Sequence, residues 1–313
     1  MPPDEPFAAN RPDGAMIDYF LPAASSSPVS LEIVDAQGKL VRRLSSDDKP
    51  EVSDEELQKQ PIPLYWIRPF RKLSTDAGMH RWVWDLHYPS PTATRHSFPI
   101  SAIPHDTPRS PLGPSVLPGN YTVRLSADGE TFSAPLVVKM DPRLKISQEA
   151  LEKKFQAETQ LASIMTESSV AIFQAESVRD QLEIVSATPK AASKISDEST
   201  KDAIETFKKK LGALLGAPSG MFTPPSEEVT LGRVNRQAGA LYSQVWQVDA
   251  EPTAAQKDAL AAVEHDGTDV LKRWNELKIS DLPELNKLLR KTDFPEIQLK
   301  ADVPHREIES DED

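Results

Sequence analysis

The side chains best suited to ligand chemistry in this sequence are aromatic, and several lie in one short stretch. "GMHRWVWDLHY", Gly78 to Tyr88, holds two of the five tryptophans of the chain, a tyrosine and two histidines. Rows of aromatic rings offer flat apolar surfaces with polar edges, which suit the faces of sugar rings. Trp66 in "PLYWIRPF" supplies a third indole. The candidate ligand-binding residues are therefore Trp66, Trp82 and Trp84, with carbohydrate as a possible ligand class.

The same stretch has a structural interpretation. In a β-strand alternate side chains share a face, so one face would carry His80, Trp82, Trp84, Leu86 and Tyr88. An unbroken aromatic face is more typical of a protein core than of an exposed platform. The core interpretation is favoured. An exposed platform stays open as an alternative, and so does a tryptophan packed beneath the neighbouring proline-rich segment.

Other catalytic and cofactor chemistries find no matching motif. The chain has no cysteine, and its six histidines show no zinc-ligand spacing. His96 and His105 lie near Asp106 without an evident third ligand. The sequence contains no G-x-S-x-G stretch and no glycine-rich phosphate loop. We predict no metal, no cofactor and no catalytic residue.

Carboxylate pairs, as in glycoside hydrolases, cannot be identified by spacing among 48 Asp and Glu residues. Asp85 follows the aromatic stretch directly, and its expected role is to accept backbone hydrogen bonds at the end of a strand. Asp141 and Arg143, in "DPR", are expected to fix the junction between two regions of the chain.

Charge limits the partners. The net charge is −12, of which residues 1–145 carry −2 and the remainder −10. A nucleic-acid binder would need a basic surface, so nucleic acid is excluded. No apolar run is long enough for a membrane helix, so we expect no membrane insertion. The polar N-terminal residues show no export signal. Proteins and carbohydrates remain as partners.

In the first half of the chain, apolar and polar residues alternate with the two-residue period of β-strands. Strands are expected in "MIDYFLP", in "PLYWIRPF", in the aromatic stretch and in two hairpins, "VSLEIVDAQGKLVRRL" and "GNYTVRLSADGETFSAPLVVKM". Gly38 and Asp128-Gly129 would form the hairpin turns. Ser53 and Glu56 form a capping-box pattern for a short helix. We therefore predict an antiparallel β-sandwich over residues 14–141, with a proline-rich loop, 89–118, lying as extended coil on its surface.

After Ser147 the period becomes helical. Five amphipathic helices are expected, over about 147–185, 199–215, 226–248, 252–277 and 281–291. Short links between them predict an antiparallel helical bundle over residues 142–293. Residues 1–13 would be a disordered N-terminal segment, and residues 294–313 an acidic tail. The predicted fold class is α+β, with more than one domain.

Three of these stretches together resemble a known domain. "VSLEIVDAQGKLVRRL", "GMHRWVWDL" and "LPGNYTVRL" are similar to the immunoglobulin-like (Ig-like) domain first described in the flagellar hook-capping protein. The positions that match its motifs are Gly78, His80, Trp84, Asp85, Pro118, Gly119 and Tyr121. The wider run, from about Arg11 to Leu299, resembles the C-terminal region of bacterial sortilin-like or sialidase-like (BNR-repeat) propeller proteins.

The resemblance implies an Ig-like domain plus a helical bundle, a secreted or periplasmic location, and a propeller domain as protein partner. It favours a non-catalytic accessory or interaction module. The alternatives are a part of a BNR-repeat glycoside hydrolase, or a carbohydrate-binding module. The catalytic residues of such enzymes belong to the propeller, so none is carried over to this chain.

Overall fold

The structure is a computed structural model that describes residues 12–100, 103–187, 198–216 and 228–299. It is 45% helical and 19% strand, and its sheets are antiparallel. Within these described ranges the strands lie before residue 139, and the long helices follow residue 147. We refer to residues 12–141 as the sheet part and to the described residues from 148 to 299 as the helical part. The α+β class predicted from sequence is confirmed at this level.

The described residues of the sheet part hold two sheets. The strands are β1 (Ala15–Leu21), β2 (Ser30–Asp35), β3 (Leu40–Ser45), β4 (Gly78–Trp84), β5 (Gly119–Ala127) and β6 (Glu130–Val138). β1 pairs with β4, and the other four form a sheet in the order β3-β2-β5-β6. Gly38 has φ +81°, while Asp128 and Gly129 have φ 49° and 84°. These left-handed conformations make the two predicted hairpin turns.

Both sheets contribute side chains to one hydrophobic core. Leu31 and Ile33 of β2 are 0% exposed, and Trp84 of β4 is 1% exposed. The ring of Trp84 meets that of Tyr121 edge to face, with centroids 5.7 Å apart. Burial of this aromatic face is what fixes β4 over the larger sheet.

The strand predicted at "PLYWIRPF" is wrong. Leu64–Trp66 forms a single 3₁₀ turn. The backbone N–H of Trp66 donates to the carbonyl of Pro63, and that of Ile67 to the carbonyl of Leu64. These donors are used within the turn, so they are not available to a sheet ladder. By contrast, the predicted capping box of Ser53 and Glu56 is present at the start of α1 (Asp54–Gln58).

The helical part follows the predicted order of helices. Its elements are α2 (Gln148–Ala187), α3 (Glu198–Leu215), α4 (Leu231–Trp246), α5 (Ala254–Glu276) and α6 (Leu282–Lys291). α4 begins later than predicted, because the Thr230 hydroxyl accepts the Arg233 N–H and caps the helix there. A π-helical turn, Leu277–Asp281, joins α5 to α6. No helix in the described part of the chain has the length and hydropathy needed to cross a membrane.

The helices share a second hydrophobic core. Leu161 and Leu182 of α2, Leu231 of α4 and Leu289 of α6 are 0% exposed. Phe294 and Ile297 are also buried in this core, at 9% and 3% exposure. The packed region therefore extends past residue 293, and the acidic tail expected from residue 294 begins too early. The remainder of that tail, 300–313, lies outside the described residues, as do residues 1–11 of the predicted N-terminal segment.

Candidate functional site

The three tryptophans considered as ligand-binding residues lie in different surroundings. Trp84 is 1% exposed, and its indole N–H donates to the carbonyl of His87 over 3.1 Å. Trp82 is half-buried and packs against the same core. Neither ring is open to a ligand across its full face. Trp66 is half-buried on the 3₁₀ turn, beside Tyr65, which is 55% exposed.

The residues that the sequence resemblance singled out lie at turns and strand ends. Gly78 starts β4, and His80 Nε2 lies 2.7 Å from the carbonyl oxygen of Asp76 in the turn before it. Asp85 accepts the backbone N–H of His87 just after β4. In the second matching stretch, Gly119 directly follows Pro118 and is the first residue of β5.

Tyr121 ties the start of β5 to the chain before it. Its hydroxyl donates to the carbonyl of Leu117 over 2.6 Å. Burial raises the pKa of Tyr121 to about 12. Farther along, the carboxylate of Asp141 accepts hydrogen bonds from both the backbone N–H and the guanidinium of Arg143. The "DPR" pair thus forms a local turn at the end of the sheet part.

An exposed apolar surface forms where the 3₁₀ turn meets the end of the proline-rich segment. We call this surface the loop patch, and it comprises Leu64, Tyr65, Trp66, Ile103 and His105. Leu64, Tyr65 and Ile103 are 49%, 55% and 50% exposed. The rings of Tyr65 and Trp66 stand nearly perpendicular, at 74°, with centroids 5.9 Å apart.

Backbone hydrogen bonds hold the two sides of the loop patch together. The N–H of His105 donates to Tyr65 over 2.7 Å, and the N–H of Thr107 donates to Trp66 over 2.9 Å. In return, the N–H of Arg68 donates to Thr107. Thr107 is fully buried, so the two bonds that it makes are shielded from water. The patch therefore combines exposed apolar side chains with a fixed backbone.

Ion pairs also hold the end of the proline-rich segment in place. The Arg68 guanidinium donates to Asp106 through Nε and Nη2, over 3.1 and 2.8 Å. The guanidinium of Arg109 donates to Glu51 over 2.9 Å. Because both arginines are only partly exposed, these pairs position the loops more than isolated surface pairs would.

The prediction that the proline-rich segment lies on the surface of the sheet part is wrong in one respect. The segment also packs against the helices. Ala93 is buried in the helical core at 8% exposure. The N–H of Thr92 donates to the hydroxyl of Thr166 on α2 over 3.2 Å. The hydroxyl of Thr94 donates to Asn235 Oδ1 on α4 over 2.8 Å. Small side chains on this stretch allow the close approach to the helices.

Asn235 extends that anchor into the helical core. It is 8% exposed, and its amide nitrogen donates to the hydroxyls of Ser168 and Ser169 over 2.8 Å each. Both polar ends of the side chain are therefore satisfied, as burial requires. A single side chain thus joins α4, α2 and the proline-rich segment.

A cluster of ionisable and aromatic groups lies where the sheet part meets the helical part. We call it the junction cluster, comprising His87, Lys154, Glu158, Trp246 and Asp249. Lys154 and Glu158 of α2 are 5% and 0% exposed. Lys154 Nζ lies 2.9 Å from Asp249 Oδ1 and 3.3 Å from Glu158 Oε1. The backbone N–H of Ser115 donates to the other Glu158 oxygen over 3.0 Å.

Burial shifts the pKa of two groups in the junction cluster. Desolvation raises the pKa of Glu158, although Lys154 and the Ser115 N–H oppose that shift. Desolvation lowers the pKa of His87, and the nearby cations Arg68 and Lys154 lower it further, against Asp85. The Tyr242 hydroxyl donates to the carbonyl of Leu112, and burial raises the pKa of that hydroxyl as well.

These contacts make the junction cluster a connection between the two parts. Glu158 is enclosed, with one oxygen bonded to the proline-rich segment and the other facing Lys154. A glycosidase needs two carboxyl groups that both reach a substrate, and an enclosed Glu158 does not meet that requirement. In the described residues, no group of three or more His, Asp or Glu side chains is arranged to hold a metal.

The sequence analysis identified neither the junction cluster nor the loop patch, and the two differ in the signal that they leave in the sequence. Lys154 and Glu158 occupy helical positions in phase with Leu151 and Leu161, so a buried charge pair was visible as a break in the apolar pattern. The loop patch gave no such signal. Tyr65 and His105 meet only because the fold brings together segments about forty residues apart.

Comparisons with protein-family models, with curated proteins and with solved structures gave no match to this chain.

Proposed function

We propose that this chain is a non-catalytic interaction module, built as an Ig-like β-sandwich followed by a helical bundle, that binds a protein partner through the loop patch. The partner class suggested by the sequence resemblance is a repeat-propeller domain. The observation that supports the proposal is the exposure of Leu64, Tyr65 and Ile103 on backbone held by hydrogen bonds from both sides.

Exposed apolar side chains that cluster on a monomer and have polar neighbours are typical of protein-binding surfaces. Tyrosine and tryptophan are common among the residues that dominate binding energy at such surfaces. Because the loop backbone is already ordered, binding would lose little conformational entropy. The loop patch therefore has both the composition and the order of a recognition surface.

The contacts between the two parts support the same function. The proline-rich segment passes from the loop patch to the helices, where Thr92, Ala93 and Thr94 are anchored. A partner bound at the patch would therefore meet a surface whose position relative to α2 and α4 is set by direct contacts.

A carbohydrate-binding module is the second candidate. Tyr65 and Trp66 present two rings at a steep angle, and the hydrogen-bonding groups of Arg68, His105 and Asp106 lie beside them. Sugar recognition uses such a combination of ring faces and planar polar groups. The aliphatic side chains Leu64 and Ile103, however, fit an apolar protein surface better than a hydroxylated sugar.

A pull-down with matched variants tests the proposal. The full chain would be immobilised as wild type, Tyr65→Ala, Ile103→Ser and Phe132→Ser, and exposed to an extract of the source cells. Phe132 is 59% exposed on β6, so Phe132→Ser is the control for loss of a surface apolar group. We expect a protein retained by wild type and by the control but lost with both patch variants. Equal retention by all four proteins would refute the proposal.

A fluorescence titration separates the second candidate. Trp66 is the indole nearest the exposed face, so a bound glucan, chitin or xylan oligosaccharide would change its emission. A saturable change that Tyr65→Ala abolishes would replace the protein-binding proposal with carbohydrate binding.

A further inference from the structure

The small sheet formed by β1 and β4 has an outer face that the described part of the chain leaves uncovered. Alternate residues of the two strands point into the hydrophobic core, and the residues between them point outward. The outward residues are Met16, Asp18 and Phe20 on β1, with Met79, Arg81 and Val83 on β4. Phe20 and Met79 are 61% and 70% exposed, and Met16 is 44% exposed.

The register of the sheet arranges this face in three rows. Met16 lies opposite Val83, Asp18 opposite Arg81, and Phe20 opposite Met79. The central row is a two-pronged ion pair, in which the Arg81 guanidinium donates to the two oxygens of Asp18 over 2.7 and 2.8 Å. An apolar row lies on each side of it. The face is thus an apolar strip with one positive and one negative group side by side at its centre.

This pattern is complementary to itself. A two-fold axis between two such faces, parallel to the strands, would set β1 of one copy over β4 of the other at equal height. Each Asp18 would then face Arg81 of the second copy, so four charges alternate in sign. Met16 would meet Val83, and Phe20 would meet Met79, so every apolar row meets an apolar row. Such self-matching is what a two-fold symmetric interface requires.

We propose that the outer face of the β1–β4 sheet is a contact between two copies of this chain, related by a two-fold axis parallel to the strands. We assign this face to a second copy because its charge pattern is complementary to itself. An unrelated partner would need its own positive and negative groups at the positions that match Asp18 and Arg81. Six side chains form a small interface, so the dimer is weak, with a dissociation constant on the order of 0.1 mM.

Charge reversal tests this pairing in the full chain. Arg81→Asp leaves four carboxylates in the centre of the paired faces, and Asp18→Arg leaves four guanidinium groups. We expect either variant alone to weaken association at least tenfold. In an equimolar mixture, the two carboxylates of one copy face the two guanidinium groups of the other, so the charges across the contact are again opposite. The double variant Asp18→Arg/Arg81→Asp restores the alternating pattern with the two signs exchanged. Both should associate about as strongly as wild type.

Sedimentation velocity across about 10 µM to 1 mM is the measurement, a range chosen to bracket the expected dissociation constant. Circular dichroism and thermal melts of each variant verify that it is folded. Tyr65→Ala, in the loop patch, should leave association unchanged, which keeps this test separate from that of the proposed function. A wild-type protein that stays monomeric over the whole range overturns the proposal, as does a single-variant mixture that stays monomeric.

Discussion

The imidazole of His87 lies against the indole of Trp246, with ring centroids 5.8 Å apart and planes inclined by 33°. His87 follows β4, and Trp246 is the last residue of α4. Another aromatic contact lies nearby, between Tyr88 and Phe155 of α2, with centroids 5.4 Å apart. The sheet part and the helical part therefore meet through aromatic rings as well as through the hydrogen bond from the Ser115 N–H to Glu158.

The first prediction concerns pH. The pKa of His87 is lowered from the ordinary value of 6.5, first by burial and then by Arg68 and Lys154. Because the unfolded chain binds this proton more readily, the contribution of His87 to stability is full above about pH 6.5 and is lost as the pH falls through the lower folded value. Glu158 acts in the opposite sense, because its raised pKa favours the folded protein at low pH.

NMR titration of the imidazole resonances checks this directly. We expect His87 to titrate below pH 6.5. His87→Gln should remove the corresponding pH dependence of the free energy of unfolding. A His87 titration midpoint at or above 6.5 would contradict the burial argument.

Lys154→Met should be strongly destabilising. It leaves the Glu158 carboxylate enclosed without its cation, and the loss of one partner from a buried ion pair costs about 3–5 kcal/mol. Urea unfolding measures the effect. The double variant Lys154→Met/Glu158→Gln keeps an acceptor for the Ser115 N–H while removing the charge. It should recover most of the loss, and failure to recover it would show that Lys154 acts by packing instead.

Trp84 is expected to behave as a core residue. Trp84→Ala should cost about 3–5 kcal/mol of the free energy of unfolding, since it opens a cavity beside Tyr121. Trp66→Ala, at the half-buried loop patch, is the matched control and should cost far less. Trp84→Phe should also reduce the share of the emission that iodide does not quench, to which the buried Trp274 contributes as well. Unchanged iodide quenching with this variant would mean that water reaches the indole.

Thr94 is expected to hold the proline-rich segment on the helices. Thr94→Val preserves shape but leaves the buried Asn235 oxygen without its donor, at a cost of about 1–3 kcal/mol. Hydrogen exchange at the amides of Thr92 and Ser97 should become faster. Thr92→Val is the control, because Thr92 bonds through its backbone. Equal exchange rates in both variants would count against an anchoring role for the Thr94 hydroxyl.

The sequence revealed those elements whose stabilising contacts are local. The Asp128-Gly129 turn, the Ser53–Glu56 capping box and the start of α2 at Ser147 all depend on residues within a few positions of one another. Such contacts leave a recognisable pattern of residue types. The 3₁₀ turn at Leu64–Trp66 was mistaken for a strand because an apolar aromatic run suits both structures.

The site was less predictable, since its contacts are distant in sequence. Nothing near Thr94 indicates that it bonds Asn235, which lies 141 positions away. Proline content correctly indicated an extended segment, but composition does not say which surface such a segment will cover. The buried pair Lys154–Glu158 did leave a local signal, two charges in phase with the apolar residues of α2, but the sequence analysis did not identify it.

The length of α2 has a mechanical consequence. Its contacts with Tyr88, Ser115 and Thr92 are made by Phe155, Glu158 and Thr166, which lie in its first half. From Glu158 the helix runs on for about 44 Å to Ala187 at 1.5 Å per residue. A tilt of about 5° at Glu158 would therefore carry the far end through about 4 Å. The helix is held near Glu158 by its contacts with the preceding part of the chain. A small rotation there therefore becomes a displacement of several ångström at Ala187.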